Sequence, residues 1–293
     1  MPELPEVQTI INDLRKVLPG LKIFGVWTDF PKMIKHPASS FLFEKKLIRS
    51  KFLKVERRGK NILFYLSGGK TLLIHQKMTG HLMYGKWRME KNKWLSVDKG
   101  PLLEDPQNRF IHLVFELSNK KQLALSDVRK FSKVLIWKTS DLENLKDIKN
   151  IGVDPVSADF TIKTLEKIFK NKKGKIRDVL MNQEIISGIG NIYASEILWE
   201  AGLHPFCEVS RFNKKDFVKL RASIKKILNQ AIKSRGDSII DYRDLYGRKG
   251  GYQHKHKAYQ MEGKKCAKKD GGIIKRIKVK GRSAFYCPVH QKL

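Results

Sequence analysis

At 293 residues and 41% hydrophobic composition, the chain has room for about two domains and is too apolar to be intrinsically disordered. Its formal charge of +31, from 60 Lys+Arg against 29 Asp+Glu, runs along the whole length, so the expected partner is a polyanion, above all nucleic acid. No run of ~18 apolar residues marks a membrane helix and no basic-then-apolar leader opens the chain. The three cysteines are too few for a disulfide framework, so a soluble, cytoplasmic protein in a reducing compartment is expected.

The chain opens MPELPEVQT, with a proline behind the methionine and glutamates at Glu3 and Glu6. A frayed terminus is one explanation. The other is that Pro2 becomes the N-terminus after methionine removal and that its secondary amine is a reagent. An α-amine titrates near ~7.7–8.0, against ~10.4 for lysine, so far more of it is neutral and nucleophilic at neutral pH. Val7, Ile10, Ile11, Leu14 and Val17 recur at helical spacing, and Leu18-Pro19-Gly20 ends that helix. From about 21 to 137, short apolar runs such as NILFYL, TLLIH, FIHLVFEL and KVLIW alternate with turn residues, which predicts an antiparallel β domain over 1–137. Within it, Arg57, Arg58 and Lys60 crowd a glycine turn and suggest phosphate contacts. Met78 in HQKMTGHLM and Arg129 and Phe131 in SDVRKF sit at expected strand ends, where such side chains can wedge into a base stack; burial in the core is the alternative.

Residues 138–155 are polar and are expected to form a linker. A second domain is expected over 156–262, with helical spacing from 160 to about 235 and an irregular, glycine- and tyrosine-rich stretch over 236–262. In ISGIGNIYASEILWEAGLHP the glycines precede a helix starting at Asn191, where backbone N–H groups and the helix dipole favour an anion; a plain packing corner is the alternative. In the tail, 263–293, Cys287 and His290 have C-x-x-H spacing and Cys266 lies upstream, with two short strands between. This is the layout of a small zinc-binding hairpin with three ligands in place. A second cysteine is expected at 269, where Lys269 stands; Asp270 is the candidate fourth ligand, and a metal-free hairpin held by packing is the alternative.

Taken in order, MPELPEVQT, RRGK, the Met78 and Arg129/Phe131 turns, SGIGNIYASEILWEAGLHP and GRSAFYCPVHQ resemble the formamidopyrimidine-DNA glycosylases, over essentially the entire chain. The resemblance implies an α+β multidomain fold: an N-terminal β-sandwich led by a catalytic helix, a helix–two-turn–helix domain, and a C-terminal zinc-finger-like hairpin, with DNA in the cleft between the halves. By the same resemblance Pro2 is the nucleophile, Glu3 the catalytic carboxylate and Lys60 a phosphate-contacting lysine. Met78, Arg129 and Phe131 fill the gap left by an extruded base, and Asn191 and Arg282 grip phosphates. Arg177 stands where the family has a lysine and is assigned to DNA binding. The resemblance implies a structural Zn2+ on Cys266, Cys287 and His290; Lys269 departs from the family's cysteine, which makes Asp270 the candidate fourth ligand and leaves the metal open, and 236–253 corresponds to the loop over the flipped base. The implied activity is a bifunctional glycosylase and AP lyase acting as a monomer on oxidised purines in duplex DNA. The competing readings are an inert damaged- or abasic-DNA binder, the oxidised-pyrimidine specificity of the endonuclease VIII sister group, and a generic RNA- or ribosome-binding protein. Leu4, where the sister group has glycine, leans against the second.

Overall fold

The structure, a computed structural model, describes residues 1–170, 172–279 and 281–293. The chain forms two compact units: residues 1–149 with 235–250, and residues 150–234 with 251–293.

The first unit begins with helix α1 (Leu4–Val17). Pro5 sits in its first turn, where no backbone donor is lost, and the Glu3 N–H donates to Glu6 Oε2 at 2.7 Å. Val7, Ile10, Ile11 and Leu14 are at most 1% exposed, so the predicted apolar stripe is the buried face. Four strands, β1 (Ile23–Thr28), β6 (Gly80–Gly85), β9 (Ile111–Leu117) and β10 (Gln122–Asp127), pair antiparallel in the order β1-β9-β10-β6. Five more, β2 (Ile34–His36), β3 (Phe52–Arg58), β4 (Asn61–Leu66), β5 (Lys70–His75) and β11 (Lys133–Lys138), form a sheet ordered β2-β11-β5-β4-β3. Only β2 and β11 run parallel in that sheet. One core of Ile62, Phe64, Leu72 and Ile74 from the second sheet and Leu82, Leu113, Phe115 and Leu125 from the first, capped by α1, makes this the expected sandwich. Helix α2 (Ser40–Leu47) buries Phe43 and Leu47, and β7 (Trp87–Glu90) and β8 (Lys93–Ser96) form a separate hairpin.

Two expectations change here. The polar stretch after 137 is not a free linker. A 3-10 helix at 139–144 and the short α3 (Lys146–Lys149) fold onto the first unit, where Lys133 pairs with Asp147 at 2.7 Å and Asn61 Nδ2 donates to the Asp147 carbonyl at 3.3 Å. Residues 235–250, placed by sequence with the helices, also belong to the first unit. Arg235 joins Asp13 of α1 to the fully buried Asp244, and the Asp237 N–H donates to Glu6 Oε1 at 2.9 Å. Tyr242 and Leu245 enter the sandwich core. Gly236 has φ +84, and a Cβ there would lie 2.9 Å from Glu6 Oε1, so this crossing of loop and helix requires glycine.

In the second unit, α4 (Ile162–Phe169), α5 (Ile176–Met181), α6 (Asn191–Ala201) and α7 (Lys214–Lys233) pack together. Helix α6 is buried on nearly every side and ends at Gly202 in the left-handed region (φ +69), while α7 starts with an Asn213/Asp216 capping box. Glu196, with no exposed surface, accepts the N–H groups of Lys257, Ala258 and Tyr259 at 2.7–3.0 Å. Burial pushes its carboxyl upward, opposed by those three donors and by His256. Strands β12 (Lys275–Val279) and β13 (Arg282–Tyr286) make the predicted C-terminal hairpin. Among the described residues no helix is long and apolar enough to cross a membrane.

Candidate nucleic-acid interface and catalytic terminus

Four groups of predicted residues assemble, two in each unit. The first lies at the start of α1. Pro2 is buried and Glu3 and Lys60 are 4% and 7% exposed, so the terminus is not frayed. Lys60 follows Gly59 in the tight turn joining β3 to β4. Burial pushes the Met1 α-amine below its ordinary value; Glu3, Glu6 and Asp241 act against this and Lys60 with it. The charges acting on the amine in this partly desolvated place are thus three carboxylates and one lysine. His75, on the strand beside Asn61, is pushed down to about 4 by burial and by Lys77 and Lys60, so it stays neutral near that lysine. Arg57, expected on phosphate, is directed inward instead: its Nε donates to Gln8 Oε1 of α1 at 2.8 Å and its Nη1 to the Gly59 carbonyl at 3.1 Å. Arg58 remains exposed.

The second group is a pair of turns on the same unit. Met78 and Phe131 are 47% and 53% exposed, which excludes the core reading for both. The Arg129 guanidinium stacks on the Phe131 ring at 4.8 Å. What joins the turns is Asp127, which sequence reasoning did not single out. Its buried carboxylate accepts Thr79 Oγ1–H at 2.5 Å, the Arg129 N–H at 3.2 Å and the Ser132 N–H at 2.6 Å. Its only trace in the sequence is an aspartate one residue before a turn, an ordinary pattern. Asp127→Ala leaves these donors unsatisfied and should destabilise the fold by about 2–3 kcal/mol. Thermal unfolding measures this, and hydrogen exchange should show the loss concentrated in residues 76–80 and 128–132.

In the second unit, Gly188 (φ +89) turns the chain into α6, and Asn191 opens that helix. Arg177 is only 2% exposed, so it lies behind Asn191 instead of on the surface expected of a DNA contact. Its Nη2 donates to Asn191 Oδ1 at 2.6 Å and to the Ser283 carbonyl at 3.3 Å. Burial lowers its pKa, Asp178 raises it and Arg282 lowers it. Asn191, Arg282 and Arg276 line one open cavity of about 560 Å³. Because its oxygen is taken by Arg177, the Asn191 amide is left to offer its N–H groups.

The fourth group is the hairpin base. One ligand atom each from Cys266, Asp270, Cys287 and His290 lie within 4.8 Å of one another. Cys266 Sγ is 3.6 Å from His290 Nδ1, and Cys287 Sγ is 3.4 Å from Asp270 Oδ2. Edges of about 3.3–3.8 Å are what a tetrahedron with ~2.0–2.3 Å metal bonds requires; these two distances fit it, whereas His290 Nδ1 and Asp270 Oδ2 lie at hydrogen-bond distance, 2.6 Å, and would have to separate to admit a zinc-sized ion. His290 Nε2 lies 3.1 Å from the Trp199 carbonyl, the partner that leaves Nδ1 for a metal. Lys269 takes a left-handed turn (φ +56), and Asp270 instead faces the sulfurs. A Cβ at Gly272 would sit 2.3 Å from Cys287 Sγ, so the approach admits only glycine. Cys207 lies apart and half-buried, its thiol pushed up by burial.

Residues 1–134 match the formamidopyrimidine-DNA glycosylase N-terminal domain, and residues 151–243 match the formamidopyrimidine-DNA glycosylase H2TH domain. The chain is 38% identical over 293 residues to the formamidopyrimidine-DNA glycosylase of Pelotomaculum thermopropionicum, covering 100% of both chains. It is 36% identical to that of Desulforamulus reducens, covering 100% of this chain and 99% of the relative. Among solved structures it resembles the Lactococcus lactis enzyme in complex with DNA containing an abasic site, with TM-score 0.85, 31% identity and 99% and 100% of the two chains covered. A complex of the same Lactococcus lactis enzyme with DNA containing an oxidised pyrimidine matches at TM-score 0.84 and 30% identity, over 100% of both chains. The chain belongs to the formamidopyrimidine-DNA glycosylase family.

Proposed function

We propose that this chain is a base-excision-repair enzyme that removes oxidised purines from duplex DNA and then cleaves the strand through an iminium at Pro2. The observation that carries the reading is the buried start of α1, where Glu3, Glu6 and Lys60 surround the terminal amine. Methionine removal makes the Pro2 nitrogen that amine. Its attack on the sugar C1′ forms a C–N bond as the damaged base departs with the glycosidic electron pair and takes a proton. Opening of the sugar ring, assisted by Glu3 as general acid, gives an iminium. Its fixed positive charge acidifies the neighbouring sugar proton, and loss of that proton expels the 3′ phosphate and, in a second elimination, the 5′ phosphate. Met78, Arg129 and Phe131 hold the space of the extruded base, with Arg129 facing the orphan cytosine. Lys60, Asn191 and Arg282 take phosphates, and Arg177 orients the Asn191 amide. Cys266, Asp270, Cys287 and His290 hold a structural Zn2+ whose chemistry is confined to cross-linking the hairpin. Binding falls steeply with salt, as the charge of +31 requires.

Borohydride trapping tests the reading. The Met-processed protein is mixed with duplex carrying 8-oxoguanine opposite cytosine, reduced and resolved on a denaturing gel. A covalent band that is lost in Pro2→Gly is expected. A band with an abasic site but not with 8-oxoguanine keeps the strand cleavage and moves the lesion preference, for which an oxidised pyrimidine is the next substrate to try. No band with either, despite tight salt-sensitive binding, leaves a damage-binding protein.

A further inference from the structure

We propose that His81 is a positioning residue that fixes the stretch 238–243 of the segment anchored by Glu6 at the start of α1. The consequence for catalysis rests on the function proposed above; the tie itself does not.

His81 is the second residue of β6, three positions after Met78, and is 3% exposed. Its Nε2 lies 2.6 Å from the Asp241 carbonyl and its Nδ1 2.9 Å from the Thr79 carbonyl. Both neighbours accept only, and burial favours the neutral imidazole with a single N–H. The Nε2 contact is the shorter, at 2.6 against 2.9 Å, and spans 160 positions, which places the single N–H on Nε2, donating to the Asp241 carbonyl. The carboxylates of Asp105 and Asp241 are the charged groups acting on the ring.

Elsewhere the segment is held at Asp237 by Glu6, at Asp244 by Arg235, and at Leu245, whose carbonyl accepts the Tyr84 N–H at 2.9 Å. Between Asp237 and Tyr242 the chain is the least enclosed, with Ile240 60% exposed. Within the segment Ser238 Oγ donates to the Tyr242 carbonyl at 2.6 Å and accepts the Gly250 N–H at 2.8 Å, and His81 adds the tie from this stretch to strand β6. It matters because Glu6 accepts both the Asp237 N–H of this segment and the Glu3 N–H at the start of α1, so the stretch that His81 holds continues directly from a contact with the reactive end of that helix. The same histidine thus links strand β6, which begins just beyond the Met78 turn, to the loop that Glu6 anchors at the start of α1.

The test compares His81→Gln, whose amide N–H can reach the Asp241 carbonyl, with His81→Asn, which is one methylene too short. Hydrogen exchange of the amides in 238–243 is read in the full-length protein without DNA. Loss of the tie should speed exchange there about tenfold in His81→Asn, the equivalent of one buried hydrogen bond, while His81→Gln stays near wild type. Amides of β4 and β5 should be unchanged in both, which separates loss of the tie from loss of the fold. In single-turnover assays, His81→Asn should slow excision of 8-oxoguanine and His81→Gln should restore it. Equal exchange at 238–243 in wild type and His81→Asn overturns the proposal, and so does faster exchange that Gln fails to rescue. Intact exchange effects with no excision activity in wild type would instead count against the function proposed above.

Discussion

Glu3→Gln is expected to slow base excision by about 10²–10⁴-fold while leaving duplex affinity and thermal stability near wild type. The substitution keeps the size of a side chain that is only 4% exposed and keeps the backbone N–H that donates to Glu6. What it removes is a titratable oxygen beside the terminal amine. Single-turnover excision on an 8-oxoguanine duplex, with binding followed separately by fluorescence anisotropy, makes the comparison. An unchanged rate would reduce Glu3 to a helix cap. Glu6 forms the useful contrast, because both of its oxygens already accept backbone donors, from Asp237 and from Glu3. An amide there turns one acceptor into a donor facing an N–H, so Glu6→Gln should loosen the 236–250 segment as well as slow the reaction.

Removing metal should have the second large effect. A structural zinc in a small finger contributes about 10–16 kcal/mol of binding free energy, which is drawn on to hold the fold. Cys266 and Cys287 also pack with Trp199, Ile274 and Phe285, so the hairpin has some apolar support of its own. Chelation, or Cys287→Ser, is therefore expected to release β12 and β13 locally without unfolding α4 to α7. Arg282 opens β13 and lines the cavity with Asn191, so the phosphate contact proposed for it goes with the hairpin. Loss of one charge-assisted contact of about 1.5–3 kcal/mol predicts a ~10–100-fold fall in DNA affinity. Metal content by elemental analysis should be one zinc per chain before treatment. Full affinity and an unchanged hairpin after chelation would show that packing alone holds it.

The local elements were legible before any coordinates. The spacing of Val7, Ile10, Ile11 and Leu14 announces the buried face of α1, because a helix repeats every ~3.6 residues whatever it packs against. The exposed Met78 and Phe131, the turn into α6 and the C-x-x-H pairing of Cys287 with His290 in one cluster likewise follow from chemistry carried within a few residues. The burial of Arg177, the inward turn of Arg57, the role of Asp127 and the attachment of 235–250 to the sandwich were not legible. Each depends on a partner far along the chain: Arg57 on Gln8, Arg177 on Ser283, Asp237 on Glu6. A charged residue in a turn reads the same whether it meets solvent, phosphate or a buried carboxylate. Periodicity records which face of a segment avoids water, whereas the identity of a buried polar group's partner is settled only when folding brings distant donors and acceptors within ~3 Å and leaves no water to substitute for them.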